Sequence, residues 1–549
     1  MKDLLLAIDQ GTSGCKLTIF DVNGNVIADT TKTYDTYYPE EAWVEQDCEQ
    51  WWKVIIEGIQ EMLISKKIDP SSIKGIGVDG ISWASIPIDH SGKVLMPTMI
   101  WLDRRAQKEA QWMKETVGEN ELIELCGNPV DACYITPKML WIKNNFPEIF
   151  AQTDKFLQSN GFIVYRLTGK LSQDYSQGYG FHFFDMKKGC LDETMAAKLG
   201  LSTQLVAPFY QSHEIVGGIT AEVAKLTGLL EGTPVVAGGL DAACCTLGAG
   251  VIHVGQTQEQ GGQAGGMSIA LDSPLIHEKL ILGYHVVPNM WLLQGGTTGG
   301  GGTLNWFNKE LGSYENMLAK ERNTALLNEN NVTLLVDNKA TLLNDNKATL
   351  LNENNATLLN ENNTTKNNKK VNAYDILSEE AESISPGCDG LLFLPYMKGE
   401  RSPLWNGNAK GVYYGLTYDK TRAHMVRSMM EGVAYSLKHN IDTAKEVNAQ
   451  VHVLSSVGGS SNSSVWTQMK SDMTGCTIEV PYSDYATTLG AAILAGVGVG
   501  LYQDFEEAVS KTVRIQRVHT PNPDTKECYE KGYKTYLKLS NLLCEAMWT

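Results

Sequence analysis

A chain of 549 residues is too long for one hydrophobic core, and its length predicts three or four domains or two large ones. The composition is that of a globular protein, and a net charge of −17 argues against a general nucleic-acid binder, which would present a basic face. This charge does not exclude phosphate ligands, since backbone N–H groups and a metal hold those without a basic patch.

The cysteines and the N-terminus predict a cytoplasmic protein. The 11 cysteines are scattered and show no Cys/His spacing typical of zinc, so we expect reduced thiols. Lys2 and Asp3 precede only a short apolar run, which does not resemble a signal peptide. No segment approaches the length of apolar sequence that spans a membrane, so we expect no membrane partner.

The first stretch, "LLLAIDQGTSGCKLTIFD", places a loop of small residues between two predicted strands. Its two glycines allow the backbone to approach a ligand, and Thr12 and Ser13 add hydroxyl groups. Lys16 adds a positive charge, and Asp9 could hold a divalent cation through water. The stretch predicts a phosphate-binding loop; the alternative is an ordinary tight hairpin in which Asp9 forms an Asx-turn.

The remainder of the first half alternates strand-like and helix-like segments, which predicts an α/β fold. "WVEQDCEQWWKVIIEGIQEML" predicts a helix with Asp47 as N-cap and Gln50 in a capping-box position. "IKGIGVDG" predicts a strand, followed by a loop at "GISWAS". "TPVVAGGLDAACCTLGAG" predicts a strand, a glycine turn and a helix.

The second half repeats this order of elements. "TQEQGGQAGGMSIALD" again predicts strand, glycine loop and strand, which indicates an internal duplication. "HVLSSVGGSSNSSVWTQMKSDMTG" predicts a strand, a Gly-Ser turn and a helix. "TTLGAAILAGVGVG" predicts a helix of small residues that packs closely beneath that unit.

One segment breaks the pattern. Residues 324–363 are five tandem octads such as "ATLLNENN", whose period fits a helix poorly and whose Asn content disfavours helix and strand. We expect a mobile surface insertion over 324–370; the alternative is a small stacked solenoid. The insertion is expected to interrupt a single helix, between "LNWFNKELGSYENMLAKE" and "AYDILSEEAESIS".

Several stretches, in order, resemble the FGGY carbohydrate kinase family. "AIDQGTSGCK" is similar to that family's first phosphate motif, "VVAGGLDAACCTLGAG" to its first domain, and "LPYMKGERSPLWNGNAKG" and "GVYYGLTYDKTRAHMVRSMMEG" to its second. Within the family, "WVEQDCEQWW" and "LPYMKGERSP" look most like xylulokinases. The resemblance implies two actin-like (ribonuclease H-like) ATPase domains, at 1–250 and 251–549, with an interdomain cleft.

The resemblance also implies a catalytic base. Asp241 in "GGLDAACC" matches the family's catalytic carboxylate, which accepts the proton of the attacking hydroxyl. The alternative is that Asp241 is only the N-cap of the helix that follows, although one oxygen can cap while the other faces the substrate.

The nucleotide contacts carry over by position. The first phosphate loop corresponds to Thr12, Ser13 and Lys16, and the second to Gly262 and Gln263, where the family usually has Thr. Further nucleotide positions are Gly301 and Asn305 in "GGTTGGGGTLNW", and Gly458, Gly459 and Ser463 at the adenosine turn. For the four consecutive glycines of 299–302 a plain turn is the alternative.

Sugar contacts are expected from the first domain, at Trp101, Asp103 and Arg105. The alternative for Arg105 is a structural ion pair with Asp103 or another carboxylate. The chain departs from xylulokinases at the next contact: where those carry Gln-Met-His-Gly, this sequence has Ile81, Ser82, Trp83 and Ala84. Ala242 likewise stands where Asn or Gln is usual. These departures leave the identity of the sugar open.

The resemblance therefore implies an ATP- and Mg²⁺-dependent kinase, with D-xylulose as the expected acceptor and D-xylulose 5-phosphate as product. Ribulose, erythritol, glycerol and an aldonate are alternative acceptors. A non-catalytic, nucleotide-dependent sugar sensor on the same fold is an alternative of a different class. A homodimer is expected because such kinases commonly form one, and no nucleic-acid partner is expected.

Overall fold

Two seven-stranded mixed sheets organise the protein, one built from each half of the chain. The computed structural model describes residues 3–325, 370–482 and 485–548. The octad repeats, apart from residues 324 and 325, lie outside the described residues, so the choice between insertion and solenoid stays a prediction. Within the described ranges, no helix is both long and apolar enough to cross a bilayer.

The first half carries fifteen strands and nine α-helices in the described residues. The strands are β1 (Leu4–Gln10), β2 (Gly14–Asp21), β3 (Val26–Thr33), β4 (Glu45–Gln46), β5 (Ile73–Gly80), β6 (Ile86–Ile88), β7 (Thr98–Met99), β8 (Lys155–Leu157), β9 (Gln173–Asp174), β10 (Phe184–Asp185), β11 (Cys190–Leu191), β12 (Phe209–Tyr210), β13 (Ile215–Gly218), β14 (Pro234–Val236) and β15 (Gly239–Leu240). The helices are α1 (Cys48–Ser65), α2 (Gln107–Trp112), α3 (Glu119–Cys126), α4 (Ile135–Asn145), α5 (Pro147–Gln152), α6 (Ser159–Thr168), α7 (Glu193–Lys198), α8 (Ala221–Thr227) and α9 (Asp241–Gly248).

The second half contributes the second sheet and the helices around it. Its strands are β16 (Gln256–Gly261), β17 (Gly265–Leu271), β18 (Ile281–Tyr284), β19 (Trp291–Thr297), β20 (Leu392–Pro395), β21 (Gly411–Tyr414), β22 (Val453–Val457), β23 (Thr477–Pro481) and β24 (Ile515–His519). Its helices are α10 (Gly301–Leu311), α11 (Ala373–Glu382), α12 (Arg422–Lys445), α13 (Ser464–Thr474), α14 (Ala486–Gly498), α15 (Phe505–Thr512) and α16 (Lys526–Ala546). Residues 313–325 are also helical.

The two sheets share one topology, which confirms the predicted duplication. The first has the order β13-β14-β5-β1-β2-β3, and the second has β24-β23-β22-β16-β17-β19, with β18 added at its edge. In each sheet the first strand of the half pairs antiparallel with the second and parallel with a strand from beyond the hairpin: β1 with β2 and β5, and β16 with β17 and β22. The duplication therefore covers both the glycine loops and the sheets that carry them.

Both faces of the first sheet are covered, which explains the unbroken apolar run of β1. Leu5 and Ala7 pack into one hydrophobic cluster, while Leu4, Leu6 and Ile8 pack into another. A strand buried on both faces has a continuous apolar sequence rather than an alternating one. Helix α1 covers one face of this sheet and α14 the other.

The start of α1 agrees only in part with the prediction made from the sequence. Asp47 is the N-cap, and its side chain accepts a hydrogen bond from the N–H of Glu49. The capping-box prediction for Gln50 is wrong, because this side chain bonds instead to the N–H of Asp35 and to the hydroxyl of Tyr37. Gln50 thus fastens the chain segment before the helix rather than the helix itself.

Helix α14 lies in an unexpected place. It packs against β1, β5 and α9 of the first half, not beneath the strand–turn–helix unit of the second half, so that prediction is wrong. Three glycines permit this approach: a Cβ at Gly77 would lie 1.9 Å from the carbonyl of Ala491, and one at Gly490 would lie 1.9 Å from the carbonyl of Cys244. At Gly248 it would lie 1.8 Å from the carbonyl of Ala486. The domain boundary at 250/251 stays a prediction.

The ends of the predicted insertion are fastened to each other. The side chain of Asn323 donates to the carbonyl of Val371 at 2.7 Å and accepts from its N–H at 2.9 Å. The expectation of one interrupted helix is wrong, because α10 ends before Gly312 and α11 begins with its own capping box at Asn372 and Asp375. The chain therefore leaves and re-enters the fold at one point.

Substituting Gly490 with Ala should destabilise the protein by about 1–3 kcal/mol, because the added methyl group meets the backbone of α9. This loss exceeds the gain of about 1 kcal/mol in helix propensity. Gly407→Ala is the matched control, since a Cβ there meets nothing within 4 Å. Urea unfolding measures both; equal stability of Gly490→Ala and the unsubstituted protein contradicts the close crossing.

Replacing residues 326–369 with a short Gly-Ser linker should leave the unfolding temperature within about 2 °C, because closing a fastened loop costs little entropy. The same replacement made with Asn323→Ala should be less stable, since it removes the two hydrogen bonds to Val371. Thermal unfolding followed by circular dichroism tests this. A broad, non-cooperative transition of the shortened chain would show that the segment contributes to the fold.

Candidate active site

Three carboxyl groups meet at one edge of the first sheet. Asp9 on β1 stands opposite Asp79 on β5 in the parallel register, and β15 pairs with the same end of β5. Because these strands end together, Asp241, the first residue after β15, joins them. Sequence reasoning missed Asp79; the available signal was a charged residue near the end of an otherwise apolar strand.

Burial raises the pKa of each of these carboxyls, and the charge of Asp9 adds to the rise at Asp79 and Asp241. The pKa of Asp79 lies well above its usual value because of burial and then the charge of Asp9. Burial also raises the pKa of Asp9, while a hydrogen bond from Asp79 and the charge of Lys16 oppose the rise. Both Asp79 oxygens are buried and have no partner among the N–H and O–H donors of the described residues. Burial thus favours the neutral form of Asp79 beside Asp9.

Asp241 is exposed to the cleft and keeps one free oxygen. It is the first residue of α9 rather than its N-cap, which is Leu240, so the N-cap alternative is wrong. Its Oδ1 accepts from the N–H of Ala242 at 2.6 Å, and the side chain is half-buried. Burial and then the charge of Asp9 raise the pKa of Asp241 to about 7. Such a group gains or loses a proton near neutral pH, as a general base must.

The first loop is attached to the wall of the cleft. The Oγ1 of Thr12 accepts from Nε1 of Trp101 at 2.9 Å, and its carbonyl accepts from the side chain of Gln46. Ser13 is exposed at the tip of the loop. Lys16 pairs with Asp9 across the hairpin, and its Nζ lies 3.7 Å from the ring centroid of Tyr485, just before α14. The loop thus presents hydroxyl groups on a fixed backbone.

The glycine stretches of the second half form one close-packed unit. The N–H groups of Gly301 and Gly302 bond to the carbonyls of Gly262 and Gln263, at 2.7 and 2.9 Å. These two N–H groups are therefore unavailable to a phosphate. A Cβ at Gly458, whose φ is +89°, would lie 3.1 Å from the backbone of Gly261. Gly301 and Gly302 begin α10, Gly300 is its N-cap, and Gly301 and Gly302 bond to the second loop, so the plain-turn alternative does not describe this stretch.

Asn305 and Ser463 meet at a helix that sequence reasoning did not assign to the site. The hydroxyl of Tyr374 donates to Oδ1 of Asn305 at 3.0 Å, and the hydroxyls of Ser378 and Ser463 are 2.9 Å apart. Tyr374 and Ser378 are one turn apart on α11, so they share a face. Ser463 also caps α13, and Gly459 begins the short 3₁₀ turn before it. The residues predicted to bind adenosine thus lie close together in the second half, around α11 and the start of α13.

Asp103 and Arg105 form a buried ion pair. Oδ2 of Asp103 accepts from the N–H of Val44 and from the guanidinium of Arg105, each at 2.7 Å. The guanidinium of Arg105 also pairs with Glu45 and lies 3.7 Å from the ring centroid of Trp43. Their side chains are 0% and 1% exposed, so the structure supports the structural ion pair, and their contact with the sugar stays a prediction.

The loop that departs from xylulokinases forms an aromatic wall. Trp83 has a φ of +57°, and its ring lies 4.2 Å from Tyr134 and 5.8 Å from Tyr179. Nε1 of Trp83 and the hydroxyl of Tyr134 are buried and have no hydrogen-bond partner among the described residues. Ser82 contacts the hydroxyl of Tyr179. The wall therefore offers unsatisfied, uncharged donors beside Asp241, whose charge also raises the pKa of Tyr179.

Lys138 fixes the backbone of this wall. Its Nζ donates to the carbonyls of Trp83 and Ile100, each at 2.8 Å. Burial lowers the pKa of Lys138 to about 8. Because Ile100 precedes Trp101, one side chain connects the loop at Trp83 to the indole that contacts Thr12. No role was predicted for Lys138 from the sequence, since nothing local in the sequence indicates its partners.

The carboxyl cluster suits a hydrated cation better than a direct metal site. The described residues contain no group of three or more His, Cys, Asp or Glu arranged to hold a metal directly. Asp9, Asp79 and Asp241 nevertheless bring their carboxyl oxygens to one edge of the sheet, and both oxygens of Asp79 have no donor among the described residues. Mg²⁺ usually keeps several waters and needs only one or two carboxylates, so these residues fit it.

Comparison with known proteins identifies a family over most of the chain. The profile of the "FGGY family of carbohydrate kinases, N-terminal domain" matches residues 4–248, and that of the C-terminal domain matches residues 269–499. A "Xylulose kinase" of Bacillus subtilis is 26% identical, covering 97% of this chain and 95% of that protein. A "Gluconokinase" of the same organism is 28% identical, covering 99% and 96%.

A solved structure shares the fold over the whole chain. It is described as ligand-bound xylulose kinase from Lactobacillus acidophilus and superposes with a TM-score of 0.83 at 23% identity, covering 100% of this chain and 99% of that one. The expected architecture of two actin-like domains is thereby confirmed.

Proposed function

The chain belongs to the FGGY family of carbohydrate kinases, which transfer a phosphoryl group from ATP to a sugar, and we propose that its acceptor is a small ketose, with D-xylulose as the first candidate. One observation supports the chemistry above all: Asp241 faces the cleft with a free oxygen, beside the first phosphate loop, and its pKa is raised to about 7. Asp241 is the general base in this proposal.

The acceptor proposal rests on the uncharged character of the aromatic wall. The cations near it, Lys138 and Arg105, already bond to protein oxygens, although Nη1 of Arg105 is buried without a partner among the described residues. The donors without a partner, on Trp83 and Tyr134, are neutral and suit hydroxyl or carbonyl oxygens of a ketose. A gluconate carboxylate would need a cation, and the wall itself, formed by Trp83, Tyr134 and Tyr179, carries none. The similarity to gluconokinase keeps an aldonate as the second candidate.

The reaction needs the acceptor hydroxyl between Asp241 and the first loop. Asp241, when ionised, accepts the hydroxyl proton as the oxygen attacks the γ-phosphorus of ATP. Thr12, Ser13 and Lys16 surround the phosphates from the first half. Gly262, Gln263 and Gly301 line the second loop, while Asn305, Gly458, Gly459 and Ser463 hold the adenosine side.

Mg²⁺ is the proposed metal, held by Asp9 through water with Asp79 beside it. When bound, it shields the negative charge of the phosphate oxygens. Asp79 keeps Asp9 oriented by its hydrogen bond, and Lys16 opposes the combined charge of the cluster. Closing the cleft excludes water, so that the sugar hydroxyl receives the phosphoryl group.

The sensor function, the cytoplasmic location and the homodimer differ in how well they are supported. The sensor alternative loses its support, because the family is that of catalytic kinases and Asp9 and Asp241 lie together at the cleft. A cytoplasmic location and a homodimer stay predictions from the sequence and its resemblance.

The rate should follow the ionisation of Asp241. Because the base must be deprotonated, kcat/KM for the sugar should rise with pH up to about 7 and level off above it. Asp241→Asn should lower kcat by about 10²–10⁴-fold. A coupled ADP-release assay over pH 5.5–9 measures both. Asp419→Asn, at an exposed turn, is the control; turnover by Asp241→Asn at the unsubstituted rate would exclude the proposed base.

Changes at Ser82 and Trp83 should alter sugar preference and leave ATP binding intact. Trp83→Phe keeps a ring against Tyr134 but removes the Nε1 donor, so kcat/KM for the best sugar should fall by about 10–100-fold. Ser82→Ala should act in the same direction. A panel of ketoses, polyols and gluconate measures the change, with Trp112→Phe as an exposed control. An effect on KM for ATP alone would place this loop outside the sugar site.

A further inference from the structure

Arg401, in "LPYMKGERSP", lies against the first half although it belongs to the second. Its guanidinium carbon is 5.9 Å from the ring centroid of Trp101. The same indole donates a hydrogen bond to Thr12 of the first phosphate loop. Arg401 therefore reaches the place where the predicted sugar wall and the first loop adjoin.

The other side of Arg401 packs on the second phosphate loop. A Cβ at Gly296 would lie 2.9 Å from Nη2 of Arg401, so the absence of a side chain there makes room for the guanidinium. Gly296 pairs with Gly266 in the register of β17 and β19, directly after the second loop. The guanidinium thus lies between the two loops that hold the phosphates in the proposed function.

Hydrogen bonds hold the backbone next to Arg401 in place, while the guanidinium of Arg401 forms no ion pair among the described residues. The carboxylate of Glu400 accepts from the hydroxyl of Thr297 and from the N–H groups of Thr298 and Arg401, at 2.6–2.8 Å. These contacts occupy both oxygens of Glu400. Over the described residues, the guanidinium of Arg401 makes no hydrogen bond or ion pair, and the side chain is partly exposed to the cleft.

Lys16 and Arg401 differ in what surrounds them. Lys16 lies beside Asp9 and covers Tyr485, so it partly neutralises the carboxyl cluster. Arg401 makes no ion pair among the described residues, although its charge opposes the rise that burial causes in the pKa of Glu400. The guanidinium N–H groups of Arg401 therefore remain available to an anion from outside the protein. A planar guanidinium with several donors suits the equatorial oxygens of a phosphoryl group.

We propose that Arg401 is a catalytic residue, carried by the second half, that contacts the transferring phosphoryl group between the two phosphate loops. The proposal rests on the proposed kinase function. The sugar oxygen forms its bond to the γ-phosphorus, the bond from that phosphorus to the bridging oxygen breaks, and its electron pair stays on ADP. The proton of the sugar hydroxyl goes to Asp241. Arg401 stabilises the charge on the equatorial oxygens during this transfer.

The test compares Arg401→Ala and Arg401→Lys with Lys398→Gln, which removes one positive charge from an exposed position of the same loop. We expect kcat of Arg401→Ala to fall by about 10³-fold or more, as for other arginines that act on a transferring phosphoryl group. Arg401→Lys should recover part of this loss, and KM for ATP and for the sugar should change little. Lys398→Gln should match the unsubstituted enzyme.

Two further measurements separate catalysis from structure. Guanidinium chloride at millimolar concentration should partly restore turnover to Arg401→Ala but not to Asp241→Asn. In calorimetry with Mg²⁺ and the sugar, Arg401→Ala should bind ADP normally and ADP with aluminium fluoride much more weakly. Neither result is expected if the substitution only disturbs the fold, and thermal unfolding provides an independent check.

The outcomes distinguish the proposal from the proposed function. If the unsubstituted enzyme phosphorylates no acceptor in the panel, both fail. If it does, and kcat of Arg401→Ala stays within about threefold, the inference about Arg401 is overturned and the kinase function stands. An effect limited to KM for gluconate also overturns it, since Arg401 would then bind a substrate carboxylate.

Discussion

The site depends on one electrostatic constraint, the burial of Asp9, Asp79 and Asp241 at the same edge of the first sheet. Three carboxyl groups this close cannot all be ionised without a counter-charge, so burial and repulsion raise their pKa values. The strand register holds them together despite this cost. A cation or a proton bound among these carboxyl groups consequently stabilises the cluster. A phosphoryl-transfer site requires a place that attracts a cation in this way.

The two copies of the duplicated unit use their charged side chains differently. In the first, Asp9 and Lys16 flank the phosphate loop. In the second, the carboxylate of β16 is Glu259, which pairs with Lys470 at 2.7 Å and accepts from Ser456. Lys470 in turn bonds to Ser460 in the adenosine turn. The second copy thus uses its charges to hold a loop in place, and the first keeps its charges at the reacting centre. A repeated fold therefore supports two distinct tasks.

Local sequence predicted the strands, the glycine loops and the position of Asp241, because each depends on residues close in the chain. It did not predict that Asp103 and Arg105 are buried, since Trp43 and Glu45, which cover and pair with Arg105, lie about sixty residues away. The placement of α14 against β5 and α9 depends on Gly77 and Gly490, which are separated by most of the chain. Asp79 was missed for a related reason: its role in the site depends on Asp9 and Asp241, and only the pairing of the strands brings those residues close to it.

The same contacts determine which parts of the site can move together. Asp241 begins α9, and α9 meets α14 at Gly248 and Gly490, where backbones touch without side chains between them. Tyr485, just before α14, covers Lys16. Such close backbone packing leaves little room for sliding, so the base, the first loop and α14 behave as one body. Arg401 and the second loop belong to the second half of the chain. In the proposed function, closure of the cleft then changes mainly the distance between Asp241 and the residues proposed to hold the nucleotide, and the phosphoryl group must pass over this distance.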